Sequence, residues 1–193
     1  GGMVRSITYD RAGRPVAEES NLSARVEREF DEAGRLVRER RATGAETTFR
    51  YDSWGGLVER RESDGGVIVY EYDARGLRAA VKDEQGRMAR FTYDLLGRLV
   101  QVTEAGGGSR RLSWGAGGDL LRVEDANGDT VQLSYDNAGR LSRLHYPGGG
   151  VTQFERDPFG NPLKITDPLG AATRFTYDLA GRLRSTIHPD GRT

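Results

Sequence analysis

Aromatic residues recur in this chain every 21 positions: Tyr9, Phe30, Tyr51, Tyr72, Tyr93, Trp114, Tyr135 and Tyr177 share one phase, and Arg156 takes the remaining place. Four residues after each comes a glycine without exception: Gly13, Gly34, Gly55, Gly76, Gly97, Gly118, Gly139, Gly160 and Gly181. Fourteen residues after comes a second, at Gly44, Gly65, Gly86, Gly107, Gly128, Gly149, Gly170 and Gly191, with Ser23 the exception. The stretch FTYDLLGRLV at residues 91–100 states the phrase most clearly, and it returns as FTYDLAGRL at 175–183 and LSYDNAGRL at 133–141. A frame this regular makes the chain a repeat array, in which each unit is stabilised by its neighbours.

Each period carries two turn signals. The first is Asp-x-x-Gly, as in Asp10 to Gly13, Asp94 to Gly97 and Asp178 to Gly181; the second is clearest at Asp83 to Gly86, Asp125 to Gly128 and Asp167 to Gly170. Aspartate opening a type I turn caps the turn's own backbone, and the glycine closing it supplies positive φ. Pro147, Pro158, Pro168 and Pro189 stand at the second turn position, where their fixed φ already fits. The intervening segments have strand length.

Those segments alternate. Ile7, Phe49, Tyr70, Phe91, Leu112, Leu133, Phe154 and Phe175 precede the aromatic phase by two, with polar residues such as Thr8, Arg50 and Thr92 between. Earlier in each period Val100 and Val102, Leu121 and Val123, and Leu163 and Ile165 bracket Gln101, Arg122 and Lys164. That is period two, a strand with one face buried. No window has a helical period. The fold class expected is all-β: nine 21-residue hairpins forming one long, curved antiparallel sheet over residues 1–193. The aromatics would line up as a buried spine, with glycine turns along both margins. Eighteen strands at roughly 4.8 Å give about 86 Å of sheet, which twist rolls into an open or partial spiral. Its unpaired end strands would permit edge-to-edge self-association and imply further sequence beyond this stretch.

The frame has defects. Glu18, Glu39 and Arg60 fill the inward place held later by Val81, Val102, Val123, Leu144 and Ile165, while Arg28 replaces an apolar residue. The amino-terminal third is therefore expected to be less stable or to face a partner. Arg156 interrupts the ladder, and Gly115 replaces one turn aspartate.

Chemistry is sparse. The 29 basic and 29 acidic residues cancel, which argues against nucleic acid or an anionic membrane surface as partner. Cysteine is absent, excluding disulfides, thiolate metal sites and cysteine nucleophiles. No apolar run is long enough to span a membrane, and the first residues do not form a signal peptide. The aspartates all have turn roles, and His145 and His188 have no neighbours at metal-ligand spacing. No catalytic, cofactor-binding or metal-binding residue is assigned, and no cofactor is expected.

The YDxxGRL phrase at a 21-residue period, with TDPLG leading into TRFTYD over residues 166–178, resembles the RHS/YD repeats of bacterial polymorphic toxins, the Tc toxin BC component, wall-associated proteins and teneurins. The resemblance implies a β-strip that winds into a hollow shell. In the toxins that shell encloses a toxic domain, and in teneurins it belongs to a surface adhesion protein. Nine periods imply an open or partial shell. The family's self-cleaving segment has a local echo in Asp157-Pro158-Phe159-Gly160 and Asp167-Pro168-Leu169-Gly170, but Asn161 and Ala171 follow where leucine is expected, so no protease activity is assigned. The reading is a non-catalytic wall segment of a secreted or cell-surface protein, its partners being other repeats and an enclosed toxin or effector polypeptide. The alternative is an adhesion module binding glycans or cell-surface proteins through aromatic, Arg and Asp side chains. Burial of the aromatic ladder would favour the wall.

Overall fold

The computed structural model describes residues 5–20 and 24–193; Ser23, the exception in the glycine frame, lies outside them. Among the described residues the chain is all-β, with eighteen strands that pair antiparallel. In the first half these are β1 (Arg5–Tyr9), β2 (Pro15–Ser20), β3 (Val26–Phe30), β4 (Leu36–Arg41), β5 (Glu46–Tyr51), β6 (Leu57–Glu62), β7 (Val67–Tyr72), β8 (Arg78–Lys82) and β9 (Met88–Tyr93). In the second they are β10 (Leu99–Thr103), β11 (Ser109–Trp114), β12 (Leu120–Glu124), β13 (Thr130–Tyr135), β14 (Leu141–His145), β15 (Val151–Arg156), β16 (Pro162–Thr166), β17 (Ala172–Tyr177) and β18 (Leu183–Ile187). A 3-10 turn covers Pro147–Gly149.

The chain divides into two compact units, residues 1–92 with 104–106, and residues 93–103 with 107–193. Within each, a strand pairs with the one before and the one after, so each unit is a meander.

Both margins use one turn. At Asp136 the backbone N–H donates to the Arg140 carbonyl at 2.8 Å, and Gly139 N–H returns to the Asp136 carbonyl at 2.9 Å. This is a three-residue hairpin loop, a type I turn closed by a left-handed residue. The opposite margin repeats it at Arg41, Glu62, Asp83, Asp125, Tyr146, Asp167 and His188. Every frame glycine has positive φ, from 73° to 98°. A side chain there would cost about 1–2 kcal/mol, which is why glycine takes the place at every described frame position.

The register places the alternating residues opposite one another. Leu112 faces Val123, Leu133 faces Leu144, and Phe154 faces Ile165. In the amino-terminal hairpins the same positions pair Ile7 with Glu18, Arg28 with Glu39, and Phe49 with Arg60. The charges compensate across strands: Arg28 reaches Glu39 at 3.1 Å and Glu18 at 3.7 Å, and Arg5 meets Glu18 at 2.8 Å.

Two expectations change. The alternation is not continuous, because each hairpin shifts register next to its aromatic: Ser113 faces Arg122 while Trp114 faces Leu120, so Leu121 is left over as a bulge. Leu163 is left over in the same way between Glu155–Lys164 and Arg156–Pro162. A bulge turns its residue off the pleat, and these two, read above as inward, are 43% and 42% exposed. The aromatic spine, too, is half-buried rather than buried. Tyr9 is 57% exposed, and Ala17 and Ala80 are the only buried apolar residues among those described. Residues on a single-layer sheet are covered by strand neighbours alone, so stability has to come from contacts between hairpins.

Candidate functional site

The residues of YDxxGRL form a reciprocal clamp between consecutive hairpins. Aspartate first organises its own turn: Asp136 Oδ1 accepts the N–H groups of Ala138 and Arg140, each at 2.9 Å. Its Oδ2 accepts from Arg140 Nε at 2.8 Å. The arginine after the glycine then reaches forward by one period. Arg98 holds Asp94 at 2.7 Å, donates to the Gly115 carbonyl at 3.0 Å and lies 5.8 Å over the Trp114 ring. Arg14 does the same toward Asp31 and Phe30, at 3.2 Å and 5.0 Å, and Arg35 toward Asp52 and Tyr51, at 3.4 Å and 4.8 Å.

The aromatic reaches backward. Tyr51, Tyr72 and Tyr135 donate their hydroxyls to the carbonyls of Leu36, Leu57 and Leu120 at 2.8, 2.8 and 2.9 Å. Trp114 Nε1 donates to Leu99 at 2.7 Å. Arg156, read above as a break in the ladder, donates to the Leu141 carbonyl in the same way while lying over Phe154. The ladder position is thus a donor aimed at the preceding hairpin, a role that a guanidinium fills as well as a phenol. Sequence reasoning assigned the aspartate and glycine but missed the arginine, whose signal was its recurrence one residue after the turn glycine in five of the nine periods.

The clamp sets the electrostatics. N–H donation from the residue four on, then the arginine's own bonds, hold Asp10, Asp31, Asp94, Asp136 and Asp178 below the ordinary aspartate value of 3.8. Asp157 is lowered chiefly by the Asn161 side chain, an environment that keeps it a carboxylate rather than a proton donor. Burial, with Asp31 adding to it, raises Tyr51. A carboxylate lowered by folding stabilises the fold above its unfolded value and loses that contribution as pH falls through the folded one. Thermal denaturation should therefore be insensitive to pH from neutrality to about pH 4 and fall steadily below it; an unchanged midpoint at about pH 2.5 would contradict the role given to these caps.

The arrangement has the parts of a scaffold. The carboxylates are spent within their own turns and the ring faces and hydroxyls of the clamp on adjacent hairpins, which defines a class of protein built by clamping repeated β-hairpins together. Residues 30–67, 72–109, 116–152 and 156–193 match the RHS Repeat family, each match spanning close to two of the 21-residue periods. The chain belongs to the RHS repeat family. No curated protein matches it in sequence. Among solved structures it is similar to the Photorhabdus luminescens Tc holotoxin pore, with 20% identity and a TM-score of 0.79 over 97% of this chain and 11% of that one. A TcdB2-TccC3-TEV crystal structure matches with 19% identity and a TM-score of 0.75 over 91% of this chain and 10% of that one. At these identities the likeness is one of fold, and the chain spans about a tenth of those proteins' length.

Proposed function

We propose that this chain is a non-catalytic wall segment of a β-shell that encloses or presents a toxin or effector polypeptide, within a secreted or cell-surface protein. The observation that carries this reading is the reciprocal clamp. Arg14, Arg35, Arg98 and Arg140 donate to the next hairpin, and Tyr51, Tyr72, Trp114, Tyr135 and Arg156 to the previous one, so a layer of sheet is held together without a covered core. The family membership and the fold shared with Tc toxin components support it, as does the turn role of the aspartates. The glycan-binding alternative needs free aromatic faces, and the rings of Phe30, Tyr51 and Trp114 are already covered by arginines, while Tyr51, Tyr72, Trp114 and Tyr135 spend their polar tips on the preceding hairpin.

Solution scattering at several concentrations tests the proposal. The expected result is an extended particle of monomer mass, consistent with a strip from a larger wall. A compact particle would argue for a self-contained binding module, as would saturable retention on immobilised glycans that is lost in Tyr135→Ala.

A further inference from the structure

One hairpin lacks its clamp. The arginine place after the turn glycine is Arg14, Arg35, Arg98, Arg140 and Arg182 in five periods, but Gly56 in the third. Other departures are compensated. Where Leu77 stands, Arg75 takes the Asp73 carboxylate at 2.9 Å; where Asn161 stands, its amide donates to Asp157 Oδ2 at 2.8 Å; where Asp119 stands, the turn aspartate is itself replaced, by Gly115. Asp52 alone is left. Its Oδ1 accepts from Trp54 and Gly56 N–H at 2.9 and 2.7 Å, but among the described residues no side chain reaches its Oδ2.

Beside Gly56 lies a cleft within the first unit, its lining including Asp52, Trp54, Tyr72, Asp73 and Arg75, whose guanidinium is held by Asp73 at 2.9 Å. A Cβ placed on Gly56 would lie 2.9 Å from Asp52 Oδ2 and 3.2 Å from the edge of the Tyr72 ring, so the space beside the glycine is bounded by two of the groups that hold the arginine in other periods. The third, the carbonyl of the next turn's first residue, is that of Asp73. Trp54, 95% exposed, is among the residues that line the cleft.

We propose that this cleft is a binding site for a guanidinium group, supplied by an arginine side chain of another stretch of polypeptide. The sister clamps show what such a group does in this geometry: its Nε meets the aspartate at 2.6 to 2.8 Å, its terminal nitrogen meets the next carbonyl, and its plane covers the next ring. The unpaired carboxylate supplies the charge. The ring face and the carbonyl select a planar, multiply donating cation over a compact ammonium. Trp54 adds a second aromatic face.

The test uses the whole chain and titrates it with Nα-acetyl-arginine N-methylamide, following the Trp54 indole N–H resonance, with the lysine analogue as comparison. The expected result is a saturable shift in the millimolar range, at least about five-fold weaker for the lysine compound. Gly56→Arg fills the cleft from within and should abolish the shift, and it should raise the midpoint of thermal unfolding. Asp52→Asn keeps the turn's acceptor but removes the charge, and should weaken binding at least about five-fold. An equal response to arginine and lysine compounds, or a response that persists in Gly56→Arg, would overturn the proposal, as would the absence of any shift in the unmodified protein.

Discussion

Arg98→Ala is expected to lose about 2–3 kcal/mol of stability, more than a surface arginine ordinarily gives. Arg98 and Asp94 are only 26% and 24% exposed, so the pair is partly shielded from solvent. The larger share comes from the bond that Arg98 donates to the Gly115 carbonyl at 3.0 Å; a bond to a charged donor contributes about 1.5–3 kcal/mol. The guanidinium over Trp114 adds about 0.5–1 kcal/mol. The terms overlap, so their sum is an upper bound. Arg98→Lys keeps the charge but cannot hold carboxylate, carbonyl and ring together, and is expected to restore less than half of the loss. Urea denaturation of the three proteins measures both effects. A loss under about 0.5 kcal/mol for Arg98→Ala would mean that the forward reach of the arginine carries no stability.

Tyr135→Ala and Tyr135→Phe separate the two parts of the backward reach. Deleting the ring should cost about 2–3 kcal/mol, below the range for a fully buried aromatic because the ladder is only half-buried. Removing the hydroxyl alone leaves the Leu120 carbonyl without its donor at 2.9 Å and should cost about 1 kcal/mol. Denaturation showing no difference between Tyr135 and Tyr135→Phe would mean that the ring's contact area, and not the inter-hairpin bond, is what the ladder provides.

Most of the architecture was legible in the residues because a hairpin is a local object. Asp136 to Gly139 specifies its turn within four residues, and the need for positive φ at the closing position excludes any residue with a side chain. Alternation then places Leu133 opposite Leu144 with no reference to distant sequence. The family resemblance rested on the same local phrase, and the RHS Repeat match followed it.

What the sequence by itself determined, then, was the period, the two turns per hairpin, the all-β class and the phase of the aromatics, all consequences of backbone geometry over a few residues. What only the tertiary structure decided was what those residues do across the period. Bulges at Leu121 and Leu163 broke the simple two-residue alternation, since register shifts depend on how two strands fit. The arginine's role was hidden because its partners, such as Gly115 for Arg98, lie 17 residues on. Arg156 read as a defect until its guanidinium was seen at the carbonyl a tyrosine would have used. Gly56 read as one glycine among many until Asp52 was seen with its outer oxygen unmet. A hydrogen bond is a relation between positions that folding brings within about 3 Å, and a linear pattern shows the spacing of such positions but not which of them meet.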